Sequence, residues 1–324
     1  MRTSLAHRHR DVIGSYSKAS ARQTLLSILG ANNDDSHQNG IDDMNNTFTT
    51  KKNNCNTQIL VNENSYDVDK HHGSFHNHIP PIDASQTHAL FLGANASMLL
   101  HTLAKKYIDS GLLSSKDEIV IAEHNHEANI IPWLQVSKVI GATVKWWRCD
   151  IEGKNLNDSK STKRKSSLEI QSIHQLDRVL SKRTKIVAMA HASNVLGQVY
   201  DVEKICEHIR STTMGNARVV VDGVAAVPHR FANVKKLNVD WYVISCHKLF
   251  GPHIGALCGR NEAIQEIEKK EINKQKKLTV DCNRTHIYQP ELKKSAGGSY
   301  DFERWYKEWE VGTISYEACA GKSI

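Results

Sequence analysis

Apolar residues along the chain form short continuous runs that alternate with longer amphipathic stretches. Five runs are typical of strands buried on both faces: residues 118–122, 184–192, 217–223, 240–245 and 255–259. Strands that are apolar almost throughout are found in parallel or mixed sheets covered by helices on both sides. The pattern therefore predicts an α/β fold.

Two of the intervening stretches have the spacing of amphipathic helices. The first, residues 97–110, is followed by Gly111, a residue that favours helix termination. The second is residues 201–211. The residues predicted to face the core are Leu99, Leu100, Leu103, Ala104 and Tyr107 in the first helix, and Val202, Ile205, Cys206 and Ile209 in the second.

Two polar segments interrupt this alternation and divide the chain. Residues 31–85 are rich in Asn, Asp and His and have little to bury, so we expect a disordered insertion. The four histidines within 71–78 are interpreted as part of this low-complexity segment rather than as a metal site. Residues 151–168 form a shorter polar insertion. One large domain then comprises 1–30 and 86–324.

Composition is that of a soluble globular protein, with 40% hydrophobic and 24% charged residues in 324. The net charge of +7 comes partly from basic segments at 160–167 and 269–277, interpreted as solvated loops and a charged helix face. Nucleic-acid binding is the alternative, but no aromatic residues alternate with the basic ones. Seven scattered cysteines without a C-x-x-C pair favour a reducing compartment, the cytoplasm or an organelle.

Polar residues follow the predicted strands at the point where each strand ends. Ligands of open α/β sheets bind beyond the carboxyl ends of the strands, so we expect these side chains to line one crevice. They are His126 and Asn129, His191 and Asn194, Asp222, and Lys248.

A lysine in such a crevice can act as a nucleophile. Burial lowers the pKa of a lysine, and the neutral amine forms a Schiff base with an aldehyde such as pyridoxal 5′-phosphate (PLP). Asp222, 26 positions before Lys248, is the candidate partner of the pyridinium nitrogen. Candidate phosphate ligands are the turn before the first helix and groups beside the lysine: Gly93, Ala94, Asn95, Ser245 and His247. His126 is placed over the ring, where it stacks and assists proton transfer.

The residues around this lysine resemble the class V aminotransferase family of fold-type I PLP-dependent enzymes. The resemblance is carried by "VVVDGVAAVPHRFANVKKLNVDWYVISCHKLFGPHIGALCGR" (219–260), "HASNVLGQVYDVEKI" (191–205) and "EHNHEANIIPWL" (123–134). "FLGANAS" (91–97) is similar to the family's phosphate-binding turn, and "EWEVGTISYEACAG" (308–321) to its E-x-G-T segment. The cysteine desulfurase-like subgroup is the most similar.

The resemblance implies a fold-type I large domain with a mainly parallel, seven-stranded sheet. It implies that Lys248 and His126 are catalytic and that Asn194 lies near the cofactor phenolate or the substrate carboxylate. It also implies a homodimer in which Thr313 reaches the phosphate of the other subunit.

Some positions depart from the family pattern. Ala225 stands where many members have a glutamine, and Glu308 where an arginine is expected. The small C-terminal domain, with its substrate-binding arginine and persulfide cysteine, is not recognised before Ile324. We therefore expect a chain truncated at both ends.

The function that follows is cleavage of a carbon–sulfur bond in an amino acid, as in cysteine desulfurases and selenocysteine lyases, with a sulfur-acceptor protein as a further partner. Two alternatives remain open. The chain is a catalytically incomplete fragment that binds PLP or a partner, or it is an aminotransferase or epimerase of the same family.

Overall fold

A computed structural model describes residues 18–31, 86–148, 173–281, 302–310 and 319. The predicted insertion at 151–168, almost all of the one at 31–85, and Thr313 lie outside these residues. In the part of the chain that is described, no helix has both the length and the apolar composition needed to cross a bilayer.

Among the described residues, seven strands form one sheet in the order β1-β7-β6-β5-β4-β2-β3. Their bounds are β1 His88–Gly93, β2 Glu118–Ala122, β3 Thr143–Trp147, β4 Thr184–Ala190, β5 Arg218–Asp222, β6 Trp241–Ser245 and β7 Gly255–Arg260. Only β7 runs antiparallel to its neighbours, β1 and β6; the remaining pairs are parallel. This arrangement confirms the expected mainly parallel, seven-stranded sheet.

The five predicted strands are confirmed, and two further strands were missed. β1 was missed because only Ala94 and Asn95 separate it from α2, without the longer polar break that marks most strand ends. β3 was missed because it is an edge strand and only Trp147 within it is buried. An edge strand has one neighbour and therefore lacks the continuous apolar pattern of the central strands.

Seven helices cover the sheet among the described residues. They are α1 (18–28), α2 Ala96–Ser110, α3 Ile131–Ile140, α4 (173–177), α5 Val202–Thr213, α6 Asn261–Asp281 and α7 Phe302–Trp309. Side chains of α1, α4 and α5 pack into a core on one face of the sheet. Those of α2, α3, α6 and α7 pack into a second core on the other face. The expectation that helices cover both faces is confirmed.

The two predicted helices correspond to α2 and α5, and all nine residues predicted to face the core are buried. Asn95 caps the start of α2, where its side-chain oxygen accepts a hydrogen bond from the Met98 amide at 2.8 Å. Gly111 ends the helix in the left-handed conformation with φ 67°, which glycine adopts without steric cost.

A buried carboxylate joins the two ends of the described chain to the sheet. Glu310, just after α7, accepts hydrogen bonds from the Arg22 guanidinium at 2.6 Å and from the Leu92 amide at 2.9 Å. The guanidinium also lies 3.7 Å from the ring centroid of Tyr306. Glu310 therefore holds α1 and α7 against β1.

The direction of the strands determines where a ligand can bind. β1 runs parallel to β2, β4, β5 and β6, because β7 is antiparallel to both β1 and β6. These five strands therefore end at the same edge of the sheet, and α2 begins there, directly after β1. Ligands of open α/β sheets bind at this kind of edge.

Candidate active site

A pocket with a volume of about 190 Å³ opens at the carboxyl edge of the sheet. Six of the ten residues predicted from sequence line it: Asn95, His126, Asn194, Asp222, Ser245 and Lys248. They come from the start of α2 and from the ends of β2, β4, β5 and β6. The structure therefore brings together residues that are up to 153 positions apart, from Asn95 to Lys248.

Three of the predicted residues lie beside the pocket rather than in its lining. Gly93 is buried at the end of β1, and Ala94 follows it on the surface. His247 is exposed and stacks on His253, with ring centroids 4.1 Å apart and an interplanar angle of 18°. The tenth residue, Thr313, lies outside the described residues.

Asp222 is the buried acidic group of the pocket. It is 7% exposed at the end of β5, and its Oδ1 accepts a hydrogen bond from the Val224 amide at 2.9 Å. Burial raises the pKa of this carboxyl above its ordinary value, while the Val224 amide and the nearby His126 and Lys248 side chains act in the opposite direction. A cationic ligand group beside Asp222 would be stabilised.

The residue after Asp222 has to be small. A Cβ on Gly223 would lie 2.2 Å from the ring of Tyr242, which packs against the backbone at this point. The glycine thus allows β5 to turn directly over a buried aromatic ring and to direct Asp222 into the pocket.

Lys248 lies in a 3₁₀-helix, Cys246–Leu249, that follows β6. Its side chain is exposed, which corrects the expectation of a buried amine at the floor of a cleft. The exposure arises because the 3₁₀ turn carries the lysine out of the sheet. Phe250 ends the turn in the left-handed conformation with φ 60°.

Cys246 packs beneath this turn. It belongs to the 3₁₀-helix and is buried in the core on the α1 side of the sheet. Burial raises the pKa of its thiol to about 11. The thiol is therefore protonated at neutral pH and is not a nucleophile.

His126 begins the 3₁₀-helix Glu127–Asn129 after β2. Its Nδ1 accepts a hydrogen bond from the Ala128 amide at 3.1 Å, and its exposed ring lines the pocket. The hydrogen bond fixes the orientation of the ring relative to the loop that carries it.

The positive end of α2 forms another wall of the pocket. Asn95 caps the Met98 amide, and the next two residues, Ala96 and Ser97, line the pocket. β7 approaches this helix end so closely that a Cβ on Gly255 would lie 2.3 Å from the Asn95 carbonyl carbon. The N-terminus of a helix binds anions through its unpaired amides and its dipole.

Ser97 was missed by sequence reasoning. It is exposed, it lines the pocket, and its hydroxyl has no hydrogen-bond partner among the described residues. A serine at the second position of a helix that follows a glycine turn is the feature that could have identified it.

Two residues predicted for the crevice are buried behind it instead. His191 is 6% exposed, and its Nδ1 forms a hydrogen bond with the Tyr242 hydroxyl at 2.7 Å. Burial lowers the pKa of His191 to about 4. Asn129 is fully buried, with its amide on the Met189 carbonyl at 3.1 Å. Both residues support the pocket from behind.

The residues of the pocket fit PLP. The buried carboxylate of Asp222 matches the pyridinium, and the accessible amine of Lys248 matches the aldehyde. The His126 ring matches the face of the cofactor ring, and the N-terminus of α2 matches the phosphate.

The family model for class V aminotransferases matches residues 81–302. The chain belongs to the class V aminotransferase family. Membership confirms the resemblance seen in the sequence and, with it, PLP as the cofactor of the family.

Two curated relatives are named as cysteine desulfurases or as similar to them. The chain is 32% identical over 191 residues to a probable cysteine desulfurase of Halalkalibacterium halodurans, covering 59% of this chain and 42% of the relative. It is 35% identical over 152 residues to the cysteine desulfurase-like protein ustD of Aspergillus flavus, covering 47% of this chain and 32% of the relative. The chain thus spans less than half the length of these relatives.

A solved structure agrees with the fold. A lysine-to-alanine variant of C-DES, with glycine covalently linked to its PLP cofactor, superimposes with a TM-score of 0.50 and 20% identity. The match covers 71% of this chain and 52% of that structure. At this identity the similarity supports the fold-type I architecture alone.

Proposed function

We propose that this protein is a PLP-dependent enzyme that acts on an amino acid, with cleavage of the carbon–sulfur bond of cysteine as its reaction. The observation that carries the proposal is the meeting of Asp222, Lys248 and the N-terminus of α2 in one pocket. The names of the curated relatives support the choice of a sulfur-containing substrate.

Asp222 has the role of holding a proton on the pyridine nitrogen. A bound cation offsets the cost of burying the carboxylate, so the nitrogen stays protonated and the carboxylate stays ionised. A protonated pyridine ring, once bound, withdraws electrons from the substrate carbon. The Val224 amide fixes the carboxylate in the orientation that this pairing needs.

The phosphate is assigned to the start of α2. The donors are the amides of Ala96 and Ser97 and the Ser97 hydroxyl. The Asn95 side chain does not compete for them, because its oxygen caps the Met98 amide. Ser245, which pairs with Gly255 of β7 beside the same helix end, adds a second hydroxyl. These neutral donors, together with the helix dipole, bind a dianion without a fixed positive charge.

Lys248 provides the amine that attaches the cofactor aldehyde. With the substrate attached to the cofactor, the Nζ of Lys248 would be the general base that takes the proton from the substrate carbon. His126 covers the face of the ring, and Asn194, exposed at the rim, is placed to bind the substrate carboxylate or the cofactor phenolate.

Cleavage of cysteine leaves alanine and transfers the sulfur to a thiol acceptor, which becomes a persulfide. Three described cysteines, Cys206, Cys246 and Cys258, are buried, and burial raises the pKa of each thiol. We therefore assign the acceptor thiol to a cysteine other than these three or to a partner protein.

A homodimer is part of the proposal. Val195 and Leu196 are 83% and 59% exposed in the turn beside Asn194, and Phe250 is fully exposed two residues after Lys248. Large apolar side chains at the mouth of a pocket are typical of an interface. Sedimentation equilibrium tests this part: a chain that stays monomeric at micromolar concentration, with or without PLP, contradicts it.

The experiment for the function combines absorbance with product analysis. The chain purified with PLP should show a visible absorbance band that is absent in Lys248→Ala, and should release alanine from cysteine when a thiol such as dithiothreitol is the sulfur acceptor. A wild-type chain without the band, or a band that survives Lys248→Ala, rejects the proposal. Formation of a keto acid or of D-cysteine instead indicates an aminotransferase or an epimerase.

A second candidate is a chain that binds PLP or a partner without turnover. The exposure of Lys248 favours it, since an open site does not exclude water from the reacting groups. A band in the wild type without any product from cysteine would support this candidate.

A further inference from the structure

The loop that carries His126 is attached to β4 by two asparagine side chains. Asn125 donates its amide to the Ala188 carbonyl at 2.9 Å, and Asn129 donates its amide to the Met189 carbonyl at 3.1 Å. His126 lies between the two asparagines in sequence. The loop is therefore fixed on both sides of the histidine to consecutive residues of one strand.

These contacts occur where the backbone pairing of two strands ends. The last register pair between β2 and β4 joins Ile121 and Ala188, so Met189 extends beyond it. Met189 still pairs with Val221 of β5, and the Asn129 side chain adds a hydrogen bond to its carbonyl. The Asn129 side-chain oxygen accepts a hydrogen bond from the buried Trp133 indole at 3.2 Å, so both ends of the carboxamide are paired inside the protein.

The loop also determines which nitrogen of His126 carries the proton. The loop places the Ala128 amide 3.1 Å from Nδ1, and a backbone N–H always donates, so Nδ1 is the acceptor. A neutral imidazole carries one proton, which then resides on Nε2. The ring lines the pocket, so an N–H group is available there.

We infer that Asn125 and Asn129 are positioning residues that hold the His126 ring over the pocket as its Nε2–H tautomer. In this form His126 donates a hydrogen bond and stacks, but it has no free nitrogen with which to accept a proton from the substrate. Proton removal from the substrate carbon then falls to Lys248 alone. The part of the inference that concerns the cofactor ring rests on the proposed function.

The tautomer is tested on the chain without cofactor. Selective ¹⁵N labelling of the 18 histidines, with His126→Gln to assign the signal, gives the protonation of each ring nitrogen at neutral pH. We expect the Nε2–H form for His126. A signal that shows protonation at Nδ1, or rapid exchange between the two tautomers, overturns the inference whatever the variants do.

The positioning role is tested by Asn129→Asp, which keeps the size and the acceptor for Trp133 but removes the donor to Met189. Asn261→Asp is the matched control, because Asn261 is also fully buried and donates its amide to a backbone carbonyl, that of Gln86, outside the pocket lining. Both variants should lower the Tm. Only Asn129→Asp should change the His126 signal to a mixture of tautomers.

Cofactor binding gives a second readout. Asn129→Asp should weaken PLP binding about tenfold, whereas Asn261→Asp should leave it unchanged. Equal effects of the two variants on the His126 signal and on PLP binding overturn the positioning role. Asn125→Asp repeats the test if Asn129→Asp does not fold. A wild type that fails to bind PLP rejects the proposed function, but the histidine spectrum still decides the tautomer.

Discussion

Asp222 and Lys248 line the same pocket, although Asp222 is the last residue of β5 and Lys248 follows β6, 26 positions later in sequence. β5 and β6 are parallel neighbours, so their carboxyl ends bring the two residues to the same edge. The positive charge of Lys248 opposes the effect of burial, which raises the pKa of Asp222. Under the proposed function, the two groups would contact opposite ends of one bound cofactor.

Asp222→Asn should raise the stability of the chain without cofactor and weaken the binding of PLP. The pKa of Asp222 is higher in the folded chain than in the unfolded chain, so its ionisation at neutral pH opposes folding. The variant without cofactor should therefore be more stable to urea at pH 7 than the wild type. PLP should bind about 10–100-fold more weakly, because a hydrogen bond to a charged group contributes about 1.5–3 kcal/mol.

The measurements for Asp222→Asn are urea unfolding without PLP and an absorbance titration with PLP. Asparagine keeps the acceptor for the Val224 amide, so the turn after β5 should remain. An unchanged PLP affinity would show that Asp222 does not contact the ring nitrogen.

Ser97→Ala should weaken the binding of PLP but not that of pyridoxal, which lacks the phosphate. Ser97 lines the pocket at the positive end of α2, and loss of one hydrogen bond to a charged phosphate corresponds to about tenfold in affinity. Ser97→Thr keeps a hydroxyl and is the matched control. Equal weakening of both aldehydes by Ser97→Ala would place the phosphate elsewhere.

Gly223→Ala should destabilise the protein by about 1–3 kcal/mol, the usual cost of forcing extra atoms into a packed site. The new Cβ would lie 2.2 Å from the Tyr242 ring, so this buried ring or the backbone after β5 would have to move. Urea unfolding measures the change.

Gly215→Ala is a suitable control for Gly223→Ala. Gly215 has φ 74° but nothing lies within 4 Å of a Cβ built there, so only backbone strain is added. If Gly223→Ala lowers the free energy of unfolding no more than Gly215→Ala does, the result would argue against close packing behind the pocket.

Sequence patterns predicted the buried part of the fold better than its edges. The central strands and α2 and α5 have continuous or periodic apolar residues because they pack on both sides or along one face. Edge strand β3 has one neighbour and mostly exposed side chains, so this pattern is absent. Only Ala94 and Asn95 lie between β1 and α2, so no longer polar segment marks the strand end.

Positions at strand ends predicted the location of the site but not the direction of each side chain. Asp222 and Lys248 reach the pocket, whereas His191 and Asn129 turn inward and bond to Tyr242 and to Met189. Whether a side chain is buried depends on the packing of segments that are distant in sequence. The spacing of residues along the chain carries no information about that packing. The exposure of Lys248 likewise follows from a 3₁₀ turn, which short-range patterns do not distinguish from a loop.

The stability of the chain should fall between pH 7 and pH 5 because two histidines are buried as neutral rings. Burial lowers the pKa of His191 to about 4 and that of His88 to about 3, from 6.5. Both therefore stabilise the fold fully above pH 6.5 and lose this contribution as the pH falls toward the folded-state pKa. At pH 5 each histidine should account for a loss of about 2 kcal/mol in the free energy of unfolding.

Urea unfolding at pH 7 and pH 5 measures this loss. His191→Gln should reduce it by about 2 kcal/mol, whereas His101→Gln, at an exposed position of α2, should not change it. A pH dependence that is the same in His191→Gln and the wild type would mean that His191 is protonated in the folded chain.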